Sequence, residues 1–121
     1  MPIFSKISNE KLATCHPFLR EICNELIKEV DFTVICGYRD KEAQNLAFSK
    51  GASKLKYPKS KHNEYPSRAV DIAPYPIDWN NHVRFRELAK RFKQIAEHKN
   101  IKITWGGDFK DFPDLAHFQL N

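Results

Sequence analysis

Apolar residues along the chain follow two rhythms. Between residues 8 and 30, Leu12, Leu19, Ile22, Cys23, Leu26, Ile27 and Val30 recur mostly at helical spacing and make one stripe. The stripe predicts a core helix. Pro17 interrupts it, and a break or fresh helix start at His16-Pro17 is compatible with the pattern, because Pro is tolerated in a first turn. Phe32-Thr33-Val34-Ile35-Cys36 is short and β-rich, which predicts a strand. Asp40 suits the N-cap of a helix from Lys41 to about Ser49, with Gly51 as its stop. Residues 51–67 read as a loop rich in Lys, Ser, Pro and Asn.

The second half repeats both rhythms. Residues 68–73 alternate as a strand, with Ala69, Asp71 and Ala73 facing one way and Val70 and Ile72 the other. Asn80 or Asn81 can cap a helix running to about Lys99, with Val83, Phe85, Leu88, Ala89, Phe92, Ile95 and Ala96 on its apolar face and Asn100 as its stop. Ile101 to Trp105 alternates as a strand, Gly106-Gly107 turns the chain, and Leu115 to Leu120 reads as a last strand. On that strand Leu115, His117 and Gln119 share one face, and Ala116, Phe118 and Leu120 the other. The order predicts an α+β fold: a small, mainly antiparallel sheet with about three helices packed against it. No repeat or linker divides residues 1–121, so one domain is expected, without a separate wall-binding domain.

Composition narrows the classes. At 121 residues, 41% apolar and 12% aromatic, the chain can bury one core and is not of disordered type. No apolar run of about 18 residues exists, so membrane insertion is not expected. Met1 to Lys6 lacks signal-peptide character, which predicts synthesis in a cytoplasm and dependence on another agent for release. Cys15, Cys23 and Cys36 are odd in number and form no CxxC, so reduced, buried thiols are expected. The net charge of +5 favours an anionic partner, although the dense patch at Lys50, Lys54, Lys56, Lys59 and Lys61 also fits a solvated basic loop. The basic residues lack aromatic interleaving, so nucleic-acid binding is not expected.

Two stretches carry the candidate chemistry. His62 and Asp71 lie nine positions apart, and Asp71 sits inside an alternating strand, where a carboxylate is costly unless paired or bound to a metal. His117 closes the chain. Two imidazoles and a carboxylate suit zinc, and three protein ligands with one open position is the catalytic pattern. Asp114, three residues before His117, is a candidate general acid/base, although DxxH alone more often belongs to a surface carboxylate in a turn. Arg39, at a strand end, fits a functional position and a surface ion pair equally well. His16, His82 and His98 have no carboxylate partner at ligand spacing and read as surface or helix-end residues.

These residues also bring a resemblance into view. Ser60-x-His62 with Ala69-x-Asp71, then Trp105-Gly106-Gly107-Asp108 and Asp114-x-x-His117-Phe118-Gln119, resemble the zinc peptidases that cut peptidoglycan stem peptides. That family includes D-alanyl-D-alanine carboxypeptidases and dipeptidases and the L-alanyl-D-glutamate endopeptidases of phage endolysins. Gly37-Tyr38-Arg39 with Gln44 is similar to its GYR…Q segment, and the resemblance spans about residues 30 to 120. It implies the fold shared by hedgehog and D-Ala-D-Ala peptidases. It also implies Zn2+ as cofactor, His62, Asp71 and His117 as its ligands, and Asp114 as acid/base. Arg39 then matches a substrate or oxyanion contact, and Ser60 a substrate contact or support for His62. Trp105 to Asp108 matches a structural turn.

The His62–Asp71 interval is two residues longer than the family's short signature and lacks its glycine. The longer form, Ser60-Lys61-His62-Asn63 with Pro66-Ser67-Arg68-Ala69-Val70-Asp71, resembles the endolysin-like members. The expected function is therefore hydrolysis of the L-Ala–D-Glu bond by a monomeric endolysin peptidase acting on the wall after release. A D-Ala-D-Ala carboxypeptidase or dipeptidase is the alternative, and a non-catalytic wall- or nucleic-acid-binding module a distant one.

Overall fold

The long N-terminal stripe folds as two helices. In the computed structural model, which describes residues 2–121, α1 spans Lys6–Leu12 and α2 spans Pro17–Leu26. Pro17 has no N–H with which to continue a helix, and it opens the second one instead. His16 caps α2, its Nδ1 accepting the Phe18 N–H at 3.0 Å. The remaining helices are α3, Lys41–Ser49, and α4, His82–His98. Asp40 caps α3 by accepting the Ala43 N–H at 2.8 Å, and Asn81 caps α4. Gly51 (φ 78°) and Asn100 (φ 58°) end them in the left-handed conformation those residue types tolerate. Among the described residues, four α-helices thus stand where about three helices were expected, because the break at Pro17 is complete.

Strands β1 (Phe32–Cys36), β2 (Ala69–Pro74), β3 (Ile103–Trp105) and β4 (His117–Leu120) form one sheet in the order β1-β2-β4-β3. Every neighbouring pair is antiparallel, in agreement with the expected α+β architecture. Alternation sends Val34, Val70, Ile72, Phe118 and Leu120 to one face, where they meet Leu19, Ile22 and Leu26 of α2 and Leu88 and Phe92 of α4. The Phe92 and Phe118 rings stack with centroids 4.0 Å apart. Burying each such side chain stabilises the fold by about 1.5–3 kcal/mol. The core therefore fixes which face of β2 and β4 is left over, and Asp71 and His117 lie on it.

Two local departures shape that second face. A β-bulge in β1 pairs Val34 with Ile72 but Cys36 with Asp71. The extra residue shifts the alternation and turns Cys36 out of the core phase. Cys15 and Cys23 are buried free thiols as expected, but Cys36 is half-buried beside the Asp71 face. The last strand also starts late, at His117 rather than Leu115. The Ala116 N–H is taken by Asp114 Oδ1 (3.3 Å) and the His117 N–H by the Asp114 carbonyl (3.2 Å), so residues 114–116 turn before the ladder begins. Ala116 consequently packs with Ala73 and Phe85 in a small second cluster and not with Phe118 and Leu120.

Candidate metal centre

The first histidine is set by a short 3-10 turn, Lys61–Asn63. Ser60 Oγ accepts the His62 N–H at 3.2 Å, and Asn63 Oδ1 accepts the Ser60 N–H at 3.0 Å, a reciprocal capping box. His62 is almost wholly buried. Its Nδ1 lies 2.7 Å from the Gly37 carbonyl oxygen. A carbonyl only accepts, so this contact places a proton on Nδ1 and turns Nε2 toward Asp71 Oδ1, 3.2 Å away. Gly37 itself lies against the end of α1, where a Cβ would sit 2.6 Å from the Lys11 carbonyl oxygen.

The second histidine arrives by strand register. His117 on β4 pairs directly with Asp71 on β2. Its Nδ1 is 3.1 Å from the same Oδ1, and its Nε2 is 2.8 Å from Gln119 Oε1, two residues along the same face. With Nε2–H donating to that oxygen, Nδ1 also presents a lone pair to Asp71. Two imidazoles pinned by their outer N–H groups therefore aim lone pairs at one carboxylate oxygen. Lone pairs so arranged need a cation between them, either protons or a metal ion, and outer N–H groups held by fixed acceptors are the usual support of metal-ligating histidines. Two imidazoles and a carboxylate are donor types that suit a divalent metal ion. The potential donor atoms gather as two triples that share Asp71: Cys36, His62 and Asp71, and Asp71, Asp114 and His117, each within 4.8 Å.

Asp114 is held by the turn at Gly106–Asp108. The Gly106 carbonyl accepts the Asp114 N–H at 2.9 Å. A Cβ on Gly106 would collide with the Asp114 carbonyl oxygen, so the two backbones can approach only because residue 106 is glycine. Arg39 approaches from the other side, its Nη2 3.5 Å from Asp71 Oδ2. Nη1 donates to Gln44 Oε1 at 3.1 Å, and the Arg39 backbone N–H donates to the His62 carbonyl at 2.8 Å. Gln44 is fully buried. Its Nε2 donates to Ser53 Oγ (2.9 Å) and the Leu55 carbonyl (2.6 Å), and its Oε1 also accepts from Asn63 Nδ2 (3.1 Å). One glutamine thus ties α3, the basic loop and the His62 turn to Arg39.

The electrostatics follow from this crowding. Burial pushes the Asp71 carboxyl up, but the hydrogen bonds and positive charge of His117 and His62 outweigh it and hold the group well below the usual range. Burial pushes His62 down, yet bonding to Asp71 and Cys36 raises it to about 10. Asp114 is raised by burial and by the charge of Asp71. Burial also acts upward on Cys36, but His62 and Arg39 beside it leave the thiol lowered. Its Sγ is 3.9 Å from His62 Nδ1 and 3.4 Å from Arg39 Nε.

Ser60, His62, Asp71, Asp114, His117 and Arg39, the six site residues expected from the sequence, all line one cavity of about 550 Å³. His16 caps α2, and His82 and His98 sit at the ends of α4. Sequence reasoning missed Cys36 and gave Gln119 no role. Gln119 was findable, two positions from His117 on an alternating strand; Cys36 depends on a bulge that leaves no pattern in the sequence.

The chain is similar to known proteins in both sequence and fold. The sequence fits the profile of the phage L-alanyl-D-glutamate peptidase family over residues 2–119. It is 38% identical over 114 residues to the L-alanyl-D-glutamate peptidase of Escherichia phage T5, a match covering 88% of this chain and 80% of that protein. The fold matches the crystal structure of the Serratia marcescens L-Ala D-Glu endopeptidase ChiX with a TM-score of 0.83. The identity is 28%, and the match covers 98% of this chain and 89% of that one.

Proposed function

Because the chain belongs to the phage L-alanyl-D-glutamate peptidase family, we propose that it is a zinc-dependent peptidoglycan endopeptidase that hydrolyses the L-Ala–D-Glu bond of the stem peptide. The observation that carries this reading is the convergence of two pinned imidazoles on Asp71, with Asp114 in the same cavity.

His62, Asp71 and His117 would hold the ion. When bound, a zinc ion supplies Lewis acidity, polarising a carbonyl oxygen and lowering the pKa of water. Asp114 is the general base that takes the proton of the attacking water and the general acid that returns it to the departing amine. Its raised pKa suits both roles, because a carboxylate nearer neutrality accepts a proton more readily and a carboxylic acid still donates to an amine. Arg39 stands beside Asp71 with its guanidinium fixed by Gln44, so it orients that carboxylate and can hold the developing oxyanion. Ser60 serves His62: it is buried, and its hydroxyl is engaged by the His62 N–H.

The test is digestion of purified peptidoglycan with and without a chelator, followed by identification of the new termini. New N-terminal D-Glu that vanishes with the chelator is the expected result. Release of free D-Ala instead would assign the carboxypeptidase reaction.

A further inference from the structure

The cavity has a basic wall that the hydrolytic chemistry does not use. Lys54, Lys59 and Lys61 line it from the loop before His62, and Lys110 from the loop before Asp114. Among the described residues, none of these four lies within 4.0 Å of a carboxylate, whereas Arg91, Lys93 and Arg68 elsewhere are matched to Glu29, Asp108 and Glu64. Lys54 is also placed: its Nζ sits 4.8 Å from the Phe112 ring centroid, so it reaches across to the opposite loop. Lys61 is the residue before His62, and Lys59 precedes the buried Ser60. Asp111 is the acid on the facing loop, while Asp71 is committed to the two histidines.

The substrate supplies a matching charge. An amide between L-alanine and D-glutamate leaves one carboxyl group of the glutamate free, whichever of the two carries the peptide onward. That carboxylate stands a few bonds from the scissile nitrogen. Resting on the L-alanyl–D-glutamate reading, we propose that Lys54, Lys59 and Lys61 form the subsite for this carboxylate. The protein then selects stem peptides whose D-glutamate is a free acid over those in which it is a carboxamide. A charge-assisted contact is made before and during the reaction, so the preference resides mainly in KM.

The experiment compares two synthetic stem peptides that differ only in that group, acid against carboxamide, with the zinc-loaded protein. The acid is expected to be cleaved with kcat/KM about tenfold higher or more, and the ratio should shrink as salt screens the exposed lysines. Replacing all three lysines by methionine should bring the ratio close to one, whereas replacing them by arginine should keep it. Equal kcat/KM for the two peptides with the unsubstituted protein overturns the proposal and leaves the endopeptidase assignment standing. So does a ratio unchanged in the methionine variant. Cleavage of neither peptide overturns both.

Discussion

Asp114 and His117 are three residues apart yet should fail differently when removed. Asp114→Ala takes away the proton carrier but neither imidazole, so zinc content measured by atomic absorption should persist. Hydrolysis should fall by about 10²–10⁴-fold, the usual worth of a positioned acid/base. His117→Ala removes a donor that register alone sets opposite Asp71, and should lose metal and activity together. Full activity in Asp114→Ala would remove its assigned role. The same cluster makes the metal-free protein sensitive to pH. The folded pKa of His62, about 10, exceeds its unfolded value near 6.5, so its contribution is complete below 6.5 and is lost as the pH rises through 10. Asp71 is depressed and works oppositely: its contribution is present above the unfolded value of 3.8 and is lost as the pH falls through the folded one. Urea unfolding of chelator-treated protein should therefore show a higher midpoint near about pH 6 than near about pH 9.5, and His62→Gln should flatten the difference.

At the scale of elements, the turn Gly106–Asp108 shows how backbone places chemistry. Gly106→Ala would push a methyl into the Asp114 carbonyl oxygen and against the His117 Cβ, so that segment must move. We expect a stability loss of about 1–3 kcal/mol by urea unfolding. Losses of both kcat and zinc content should accompany it, since the same methyl would also meet the His117 Cβ at 2.9 Å. This element was legible in outline: two consecutive glycines after an alternating strand announce a turn, and the resemblance matched it to a structural turn. Its contact with Asp114 was not legible, because it joins residues eight apart through backbone atoms that leave no side-chain pattern. The caps at Asp40 and Asn81 were readable because capping is local. The true start of β4 and the bulge at Cys36 were not. Both depend on which backbone groups win competing hydrogen bonds across the sheet.

For the whole molecule, the metal and the fold should be thermodynamically linked. The proposed donors come from the His62 turn, β2 and β4, and an ion that binds only their assembled form stabilises it by about 2.7 kcal/mol at a hundredfold excess over Kd. Chelation should accordingly lower the melting temperature as well as abolish hydrolysis, and added zinc should restore both. A melting temperature indifferent to chelator would mean that the folded state holds no ion at this site. Strand order adds a consequence in time. β4 follows every other described element, yet it lies between β2 and β3 in the sheet. While the chain is still emerging from a ribosome, β2 and β3 face a gap that nothing already made can fill. A nascent chain that has not reached residues 117–120 holds His62 and Asp71 without His117, so the proposed donor set stays incomplete until β4 has been made.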